Sequence, residues 1–540
     1  MDNAFLAERL EAFAALLDLS GSSYYTVRAF RRAAELVRST PADVPELVRA
    51  GRVRELAGIG PGIEARLREL VETGELAELR ELEAEALPEL VGVGRLLGLS
   101  PARMRALGHA LGVRTLAELR EAAEAGRLEQ ARGVGPKTAA RIRAGLAEAA
   151  QARPRRGLLL NRARALVEEL ATAVGGVAAG DPRRACDLST HLAVVVPSNR
   201  LLQGLERLPQ VVAVLERDEG RAVAVTADGY PVEFVAAPRA RFGTELVRAT
   251  GSPEYVASLG DLPAAEREED VFAALGLPYR PPELREAGAP DPPADLLRAE
   301  EVRGDLHVHT TASDGKASVR EMAEAARERG YEYLAICDHT LAVRVVPGLD
   351  AAALRRQAEE IALVNEELAP FRVLRGSECD VLPDGSLDLP DDAVRELDWV
   401  QVSLHAGQRR GRDELTRIVL EALRRACALR PGRVSLSHPK GRILNHRPEN
   451  ALDLDAVFEA ALELGFALEV NGLPDRLDLS AEHARRALAA GVRLTCSTDA
   501  HSVRGLGNIS LSVATARRAG ARRGDVLNTR RLEDLVAQCH

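Results

Sequence analysis

Between residues 303 and 540 the chain repeats one unit: a short apolar run, then histidines or carboxylates, then an amphipathic helical pattern. Alternation of this kind commits a chain to a parallel α/β layer, either a barrel or a doubly wound sheet. The polar residues fall at matching places in the repeat. Asp305-Leu306-His307-Val308-His309 closes the first run, and a strand's period of two puts both imidazoles on one face. Asp314 follows in Ser313-Asp314-Gly315, and Asp338-His339 follows the run Tyr333 to Cys337. Glu378 and Asp380 come after Phe371 to Leu374, His405 after Val400 to Leu404, and His438 after Val434 to Ser437. Asp499 and His501 come after Val492 to Cys496. One such histidine alone reads as a core residue or a helix cap. Six of the chain's eleven histidines at strand ends, interleaved with acids, read as ligands converging on one end of a barrel. Nitrogen and carboxylate donors without thiolate suit zinc, manganese or iron(II), and not calcium or a structural zinc. Several such ions together would acidify a bridging water and clamp the oxygens of a phosphate ester, so phosphoester hydrolysis is the chemistry expected.

The remaining residues must form further domains, because 540 residues exceed what one core usually spans. A hydrophobic share of 46% beside 28% charged residues excludes wholesale disorder. No apolar run is long enough to cross a membrane, and Met1-Asp2-Asn3-Ala4-Phe5 lacks the order of a secretory signal. The six cysteines form no CxxC pair and read as reduced thiols. These features predict a soluble, cytoplasmic, multidomain protein, and nothing in them demands more than a monomer. The net charge of −9 argues against a nucleic-acid partner until its distribution is read. Residues 95–156 carry 13 basic against 5 acidic side chains, a local surface of the kind phosphate contacts require.

Residues 1–156 are rich in Ala, Leu, Arg and Glu at helical spacing, cut by glycine turns, and predict an all-α region. Two turns share a pattern: Gly58-Ile59-Gly60-Pro61-Gly62, and Gly133-Val134-Gly135-Pro136-Lys137 with Arg141 just beyond. A Gly-hydrophobic-Gly turn ahead of a helix lets the backbone approach a phosphate, and the helix offers free N–H groups. These turns resemble helix-hairpin-helix elements, which bind the DNA backbone without reading sequence. Gly98-Leu99-Ser100-Pro101 resembles a degenerate third copy. Strand-like runs follow over 157–278, and prolines recur from Pro278 to Pro293, so residues 279–302 predict an extended, semi-rigid linker.

With these motifs in place, residues 303–540 resemble a polymerase-and-histidinol-phosphatase (PHP) domain, a distorted (β/α) barrel holding three metal ions. The resemblance implies nine ligands: His307, His309, Asp314, His339, Glu378, His405, His438, Asp499 and His501. It also implies roles beside the metals or the substrate for Asp338, Asp380 and Arg442. Over nearly the whole chain the order of hairpins, strand-rich middle and PHP domain is similar to a bacterial family X DNA polymerase. Tyr25 to Ala34, Thr250-Gly251-Ser252 and Asp270 to Gly276 resemble further segments of that family. The middle would then be an α+β palm followed by a shortened thumb.

The family's palm uses three carboxylates for two metal ions. Gly180-Asp181-Pro182-Arg183-Arg184 parallels the family's Gly-Ser-x-Arg-Arg, and this register places His191 and Ala193 at the paired aspartates and Glu233 at the third position. Asp181 stands where a serine would hold a triphosphate. Magnesium demands hard oxygen ligands in a near-ideal shell, so weak or lost nucleotidyl transfer is expected. Manganese could still use His191 and Glu233 together with Asp187. The leading expectation is a DNA-repair protein whose PHP domain, loaded with manganese or zinc, removes nucleotides from 3′ ends of gapped, nicked or looped DNA. The alternatives are a gap-filling polymerase that binds dNTPs and proofreads with its PHP domain, and a small-molecule phosphatase of the histidinol-phosphatase type.

Overall fold

The computed structural model describes residues 3–19, 24–40, 42–56, 58–79, 101–113, 116–131, 134–136, 138–140, 142–143, 157–226, 229–343 and 346–537. Gly98 to Ser100, Gly133, Lys137 and Arg141 lie outside the described residues.

The N-terminal region is helical, with α1 (Asn3–Leu19), α2 (Tyr24–Ser39), α3 (Val44–Arg49) and α4 (Pro61–Thr73). In α2 the apolar residues Val27, Phe30, Ala33, Ala34 and Val37 recur at helical spacing, and all are buried. They close on Leu6, Leu10 and Phe13 of α1 and on Leu67 and Leu70 of α4, forming a core of their own. Gly58 has φ +109°, a conformation that L side chains rarely adopt. The two predicted turns share their hydrogen bonding. Ile59 N–H donates to Leu56 O at 3.1 Å and Val134 N–H to Ala131 O at 3.0 Å. Gly60 O accepts from Ile63 and Glu64, as Gly135 O accepts from Thr138 and Ala139. Around Gly60, Gly62 and Gly135 a Cβ would meet nothing within 4 Å, so the backbone there is open to close approach.

The middle region holds a five-stranded sheet of β1 (Val177–Gly180), β2 (Leu192–Val196), β3 (Val211–Arg217), β4 (Arg221–Thr226) and β5 (Pro231–Ala236), in the order β1-β2-β5-β4-β3. Only β2 and β5 pair parallel. One face packs Val194, Val196 and Phe234 on Ala163, Val167 and Leu170 of the helix Leu160–Ala173. The other face, with Ala179, Ala193 and Val195, lies under Leu246 and Ala249 of the helix Phe242–Thr250.

Residues 304–497 build seven parallel strands: β6 (Gly304–Val308), β7 (Tyr333–Ile336), β8 (Arg372–Asp380), β9 (Trp399–Ser403), β10 (Val434–Leu436), β11 (Ala467–Asn471) and β12 (Leu494–Ser497). Neighbours in sequence are neighbours in the sheet. The sheet nearly closes into a barrel: a bridge joins Val308 to Ala500, His309 N–H donates to Ala500 O at 2.9 Å and Asp499 N–H to His307 O at 3.0 Å. At the other end of the seam the Asn528 amide donates to Gly304 O at 2.7 Å and Cys496 O at 2.6 Å.

Two expectations are corrected. Glu378 and Asp380 sit inside a strand and not after it, because β8 pairs first with β7 over Arg372 to Arg375 and then with β9 over Gly376 to Asp380. One ladder takes over where the other stops. The proline-rich stretch is no extended spacer. Leu284 and Arg285 within it are fully buried. Glu283 accepts from Arg517 at 2.7 Å and Glu286 from Arg518 at 2.8 Å, tying the stretch to the helix Ile509–Arg518 of the barrel. Prolines fix φ there, and charge-assisted bonds between them hold the chain down. Among the described residues no helix is long and apolar enough to cross a membrane.

Candidate metal centre

The strand ends of the barrel bring all nine predicted ligands together. Three overlapping groups have donor atoms within 4.8 Å of one another: His309, Asp314, His339 and His501; His307, His309 and Glu378; and His339, Glu378 and His405. His438 joins through Nε2, 2.9 Å from Glu378 Oε1, and Asp499 through Oδ1, 3.1 Å from His309 Nε2. Glu378 is the hub, with Oε2 at 2.8 Å from His339 Nδ1 and 3.6 Å from His307 Nε2. His309 and His501 stack with ring centroids 4.2 Å apart. His438 and Asp499 hold φ of +26° and +53°, a region that costs a non-glycine residue about 1 kcal/mol or more and that clusters at functional sites.

The electrostatics follow from dense charge in a dry place. Burial works to lower the His307 value, and Glu469, Asp499 and Glu378 outweigh it, raising that imidazole well above its ordinary range. His339 is pushed up to about 10: burial opposes this, and the Glu378 and Asp314 carboxylates prevail. His309 goes the other way, to about 4, through burial and the neighbouring His339 and His501. Glu378 and Asp499 lie well below the carboxylate range although burial favours their neutral forms, because imidazoles surround them. The two imidazole Nε2 atoms of His307 and His309 face each other at 3.1 Å. Among the described residues, the buried His309 Nδ1, His438 Nδ1 and Asp380 Oδ2 have no hydrogen-bond partner. Nitrogen and oxygen donors converging with atoms left unsatisfied fit divalent cations, which take the place of the shared protons.

Other polar residues brace this set. Asp338 lies one residue before His339, yet its carboxylate accepts from Thr310 N–H at 2.7 Å, Thr310 Oγ1, Ser313 Oγ and Gln357 Nε2. It holds the turn leading to Asp314. Asp380 Oδ1 accepts from the His405 N–H at 3.0 Å. Arg442 is turned away from the cluster: it donates to Arg476 O and Leu477 O, and to Asp187 of the middle region at 2.6 Å.

Sequence reasoning missed Glu469, Asn471 and Arg476. Glu469 is fully buried in β11, 2.7 Å from His307 Nδ1, and accepts from the His438 N–H at 2.8 Å. A carboxylate behind an imidazole fixes its tautomer and raises its basicity as a ligand. Asn471 Nδ2 donates to Glu469 and to Asp499 at 3.0 Å. Arg476 brings Nε to 3.6 Å from Asp499 Oδ2. The only signal in the sequence is an acid inside the apolar run Phe466 to Val470. The change Glu469→Gln should weaken metal binding by about 10–100-fold, read as metal retained after dialysis against a chelator series.

The middle region presents a different picture at Asp181, Asp187, His191, Ala193 and Glu233. Ala193 is fully buried and pairs with Glu233 across β2 and β5. His191 Nε2 is 3.0 Å from Glu233 Oε2, and Arg221 Nε donates to Glu233 Oε1. The bond to His191 leads in holding the Glu233 carboxyl down to about 2 against the effect of burial, with Arg221 adding to it. Asp181 accepts from Arg184 at 2.6 Å and from the backbone N–H groups of Thr190 and His191, so its charge is spent on its own loop. Arg183 is committed to Glu268 through two bonds of 2.8 and 2.7 Å. Asp187 does not join His191 and Glu233 as a third ligand; Arg442 and Arg518 hold it instead.

A parallel barrel with histidines and carboxylates crowded at its strand ends is the arrangement of a PHP domain, and the PHP domain model matches residues 305–471. Further models match on either side: a helix-hairpin-helix domain over 1–76, a SAM-like helix-hairpin-helix tandem over 95–148 and a DNA polymerase beta thumb over 246–286. The chain is 31% identical to the Bacillus subtilis DNA polymerase/3′-5′ exonuclease PolX, over 98% of this chain and 97% of that protein. A probable phosphatase of Acetivibrio thermocellus is 30% identical over 36% of this chain and 78% of its own length. Another, from Syntrophotalea carbinolica, is 31% identical over 31% of this chain and 64% of its own. The chain belongs to the family X DNA polymerases that carry a C-terminal PHP domain. Hairpin and thumb modules imply DNA as its binding partner, and the barrel carries a metal-binding site.

Proposed function

We propose that this protein is a DNA-repair exonuclease that removes nucleotides from 3′ ends at the PHP centre and has lost most or all nucleotidyl transfer. What supports the reading is the nine-residue donor set on the barrel, beside a middle region in which Glu233 is already held by His191 and Arg221. Manganese or zinc, up to three ions, suits donors of this kind; when bound they polarise the phosphate and lower the pKa of a coordinated water. The chain's own residues do the rest. Glu469 holds His307 in one tautomer, Asn471 orients Asp499, and Asp380 fixes the backbone of His405. Arg476 lies where it can take a non-bridging phosphate oxygen beside Asp499.

The turns at Gly58 to Gly62 and Gly133 to Lys137, with Arg141, supply backbone N–H groups and charge for gripping a gapped, nicked or looped duplex without reading its bases. A monomer in the cytoplasm suffices for this work. A small-molecule phosphatase has no use for such modules, and the two phosphatase relatives align with only about a third of the chain.

Primer extension on gapped DNA separates this reading from gap filling. With magnesium and dNTPs the protein should add no nucleotides, and Glu233→Gln should leave 3′ degradation unchanged. In the palm, His191 and Arg221 already occupy the carboxylate's oxygens, and magnesium would have to displace a guanidinium to bind. Extension that depends on Glu233 would show an active polymerase. Hairpin variants such as Gly60→Val should weaken DNA binding yet spare hydrolysis of p-nitrophenyl phosphate; equal loss of both would argue for one undivided site.

A further inference from the structure

A continuous chain of charged bonds runs from the palm to the metal centre. Glu233 meets His191, whose N–H bonds Asp181; Asp181 holds Arg184, which lies 3.3 Å from Glu286. Glu286 takes Arg518, and Arg518 is 3.6 Å from Asp187 Oδ1. Asp187 Oδ2 accepts from Arg442 at 2.6 Å, across 255 residues of sequence. Arg442 spends its other donors on the carbonyls of Arg476 and Leu477. Leu477 has φ +43°, so this loop is strained and needs such an anchor. Its neighbour Arg476 reaches Asp499. An apolar contact lies alongside: Leu160 and Ala185 pack on Leu444, Leu477, Leu511 and Ala514. Asp187 and Arg442 are 15% and 11% exposed, dry enough for their bond to be stiff.

We propose that Asp187 of the palm is a positioning residue for the PHP centre: through Arg442 it sets the 473–477 loop and so the placement of Arg476 over Asp499. On this account the palm persists because it completes the hydrolytic site, independently of any nucleotide chemistry of its own. The inference rests on the nuclease reading above, in which Arg476 contacts the substrate's phosphate.

The test uses the full-length manganese-loaded protein and two substrates, a 5′-labelled oligonucleotide and bis(p-nitrophenyl) phosphate, the second too small to touch the palm while seated at the barrel. Asp187→Asn and Arg442→Lys should each lower kcat by about tenfold on both substrates, the size of a coupling carried through one strap. KM for the oligonucleotide and bound metal per chain should not change. The double variant should lose little more than either single one, because both cut the same link. Asp187→Glu should recover most of the rate by keeping the charge. Unchanged kcat on the small diester would overturn the proposal, as would a loss confined to KM for DNA or a loss that tracks missing metal. If Asp187→Asn does not fold, Arg442→Lys decides by the same criteria. If the unaltered protein degrades neither substrate, the nuclease reading itself falls, an outcome separate from failure of the strap.

Discussion

Alanine at both His307 and His309 should abolish 3′ degradation, a loss on the order of a thousandfold or more, while DNA binding persists. The two imidazoles belong to two of the three donor groups between them, and His309 is shared by both. Their removal takes from the buried Glu469 and Asp499 their nearest imidazoles, so the barrel should also melt earlier. The hairpin region keeps its own core of Leu6, Phe13, Phe30 and Leu67 and does not depend on the barrel for its shape. A gel-shift titration and an exonuclease assay on one preparation check both halves. Binding that vanishes together with hydrolysis would mean the barrel itself is the main DNA grip.

The second large effect is on stability. Glu268 takes two bonds from Arg183 and one from Arg285, whose side chain is fully buried against the rings of Phe272 and Tyr279. Glu268→Ala would leave two guanidiniums without their carboxylate in a nearly dry pocket, which typically costs about 3–5 kcal/mol. Urea denaturation should register that loss in the middle region, and a change below about 1 kcal/mol would show that solvent reaches the pair after all. The pH dependence has a definite sign. Burial works to raise the Glu268 carboxyl, and Arg183 and Arg285 together hold it below the ordinary carboxylate value. A folded value lower than the unfolded one gives stability that is complete above about pH 4.5 and is lost as pH falls through the folded value. The stability curves of the two proteins should therefore converge in acid.

Much of the barrel was legible because its signals are local. An apolar run followed by His or Asp needs only strand period and strand-end geometry to be read, and His307, His309, His339, His405, His438 and His501 all carry that mark. The bracing layer was not legible. Glu469 and Asn471 lie inside a strand with no histidine beside them, and their importance comes from residues 162 and 28 positions away that meet them only in the fold. Arg442, which the family resemblance put beside the metals or the substrate, instead points its fork across the domain boundary to Asp187, a contact 255 positions away that only the fold reveals. The proline-rich stretch shows the same limit, since composition predicts stiffness but not the arginines of a distant helix that hold it down. In the middle region, the guanidinium of Arg221 and the imidazole of His191 that hold Glu233 could be placed beside it only once the sheet register was known.

The measurement that bears most directly on the central claim follows the length of a 5′-labelled strand in gapped duplex DNA, with manganese, after chelation, and with magnesium plus dNTPs. The strand should shorten stepwise from its 3′ end in manganese, stay intact once the ions are removed, and not lengthen in magnesium. A protein that retains its bound metal yet leaves the strand intact, or one that lengthens it in magnesium, would contradict the account.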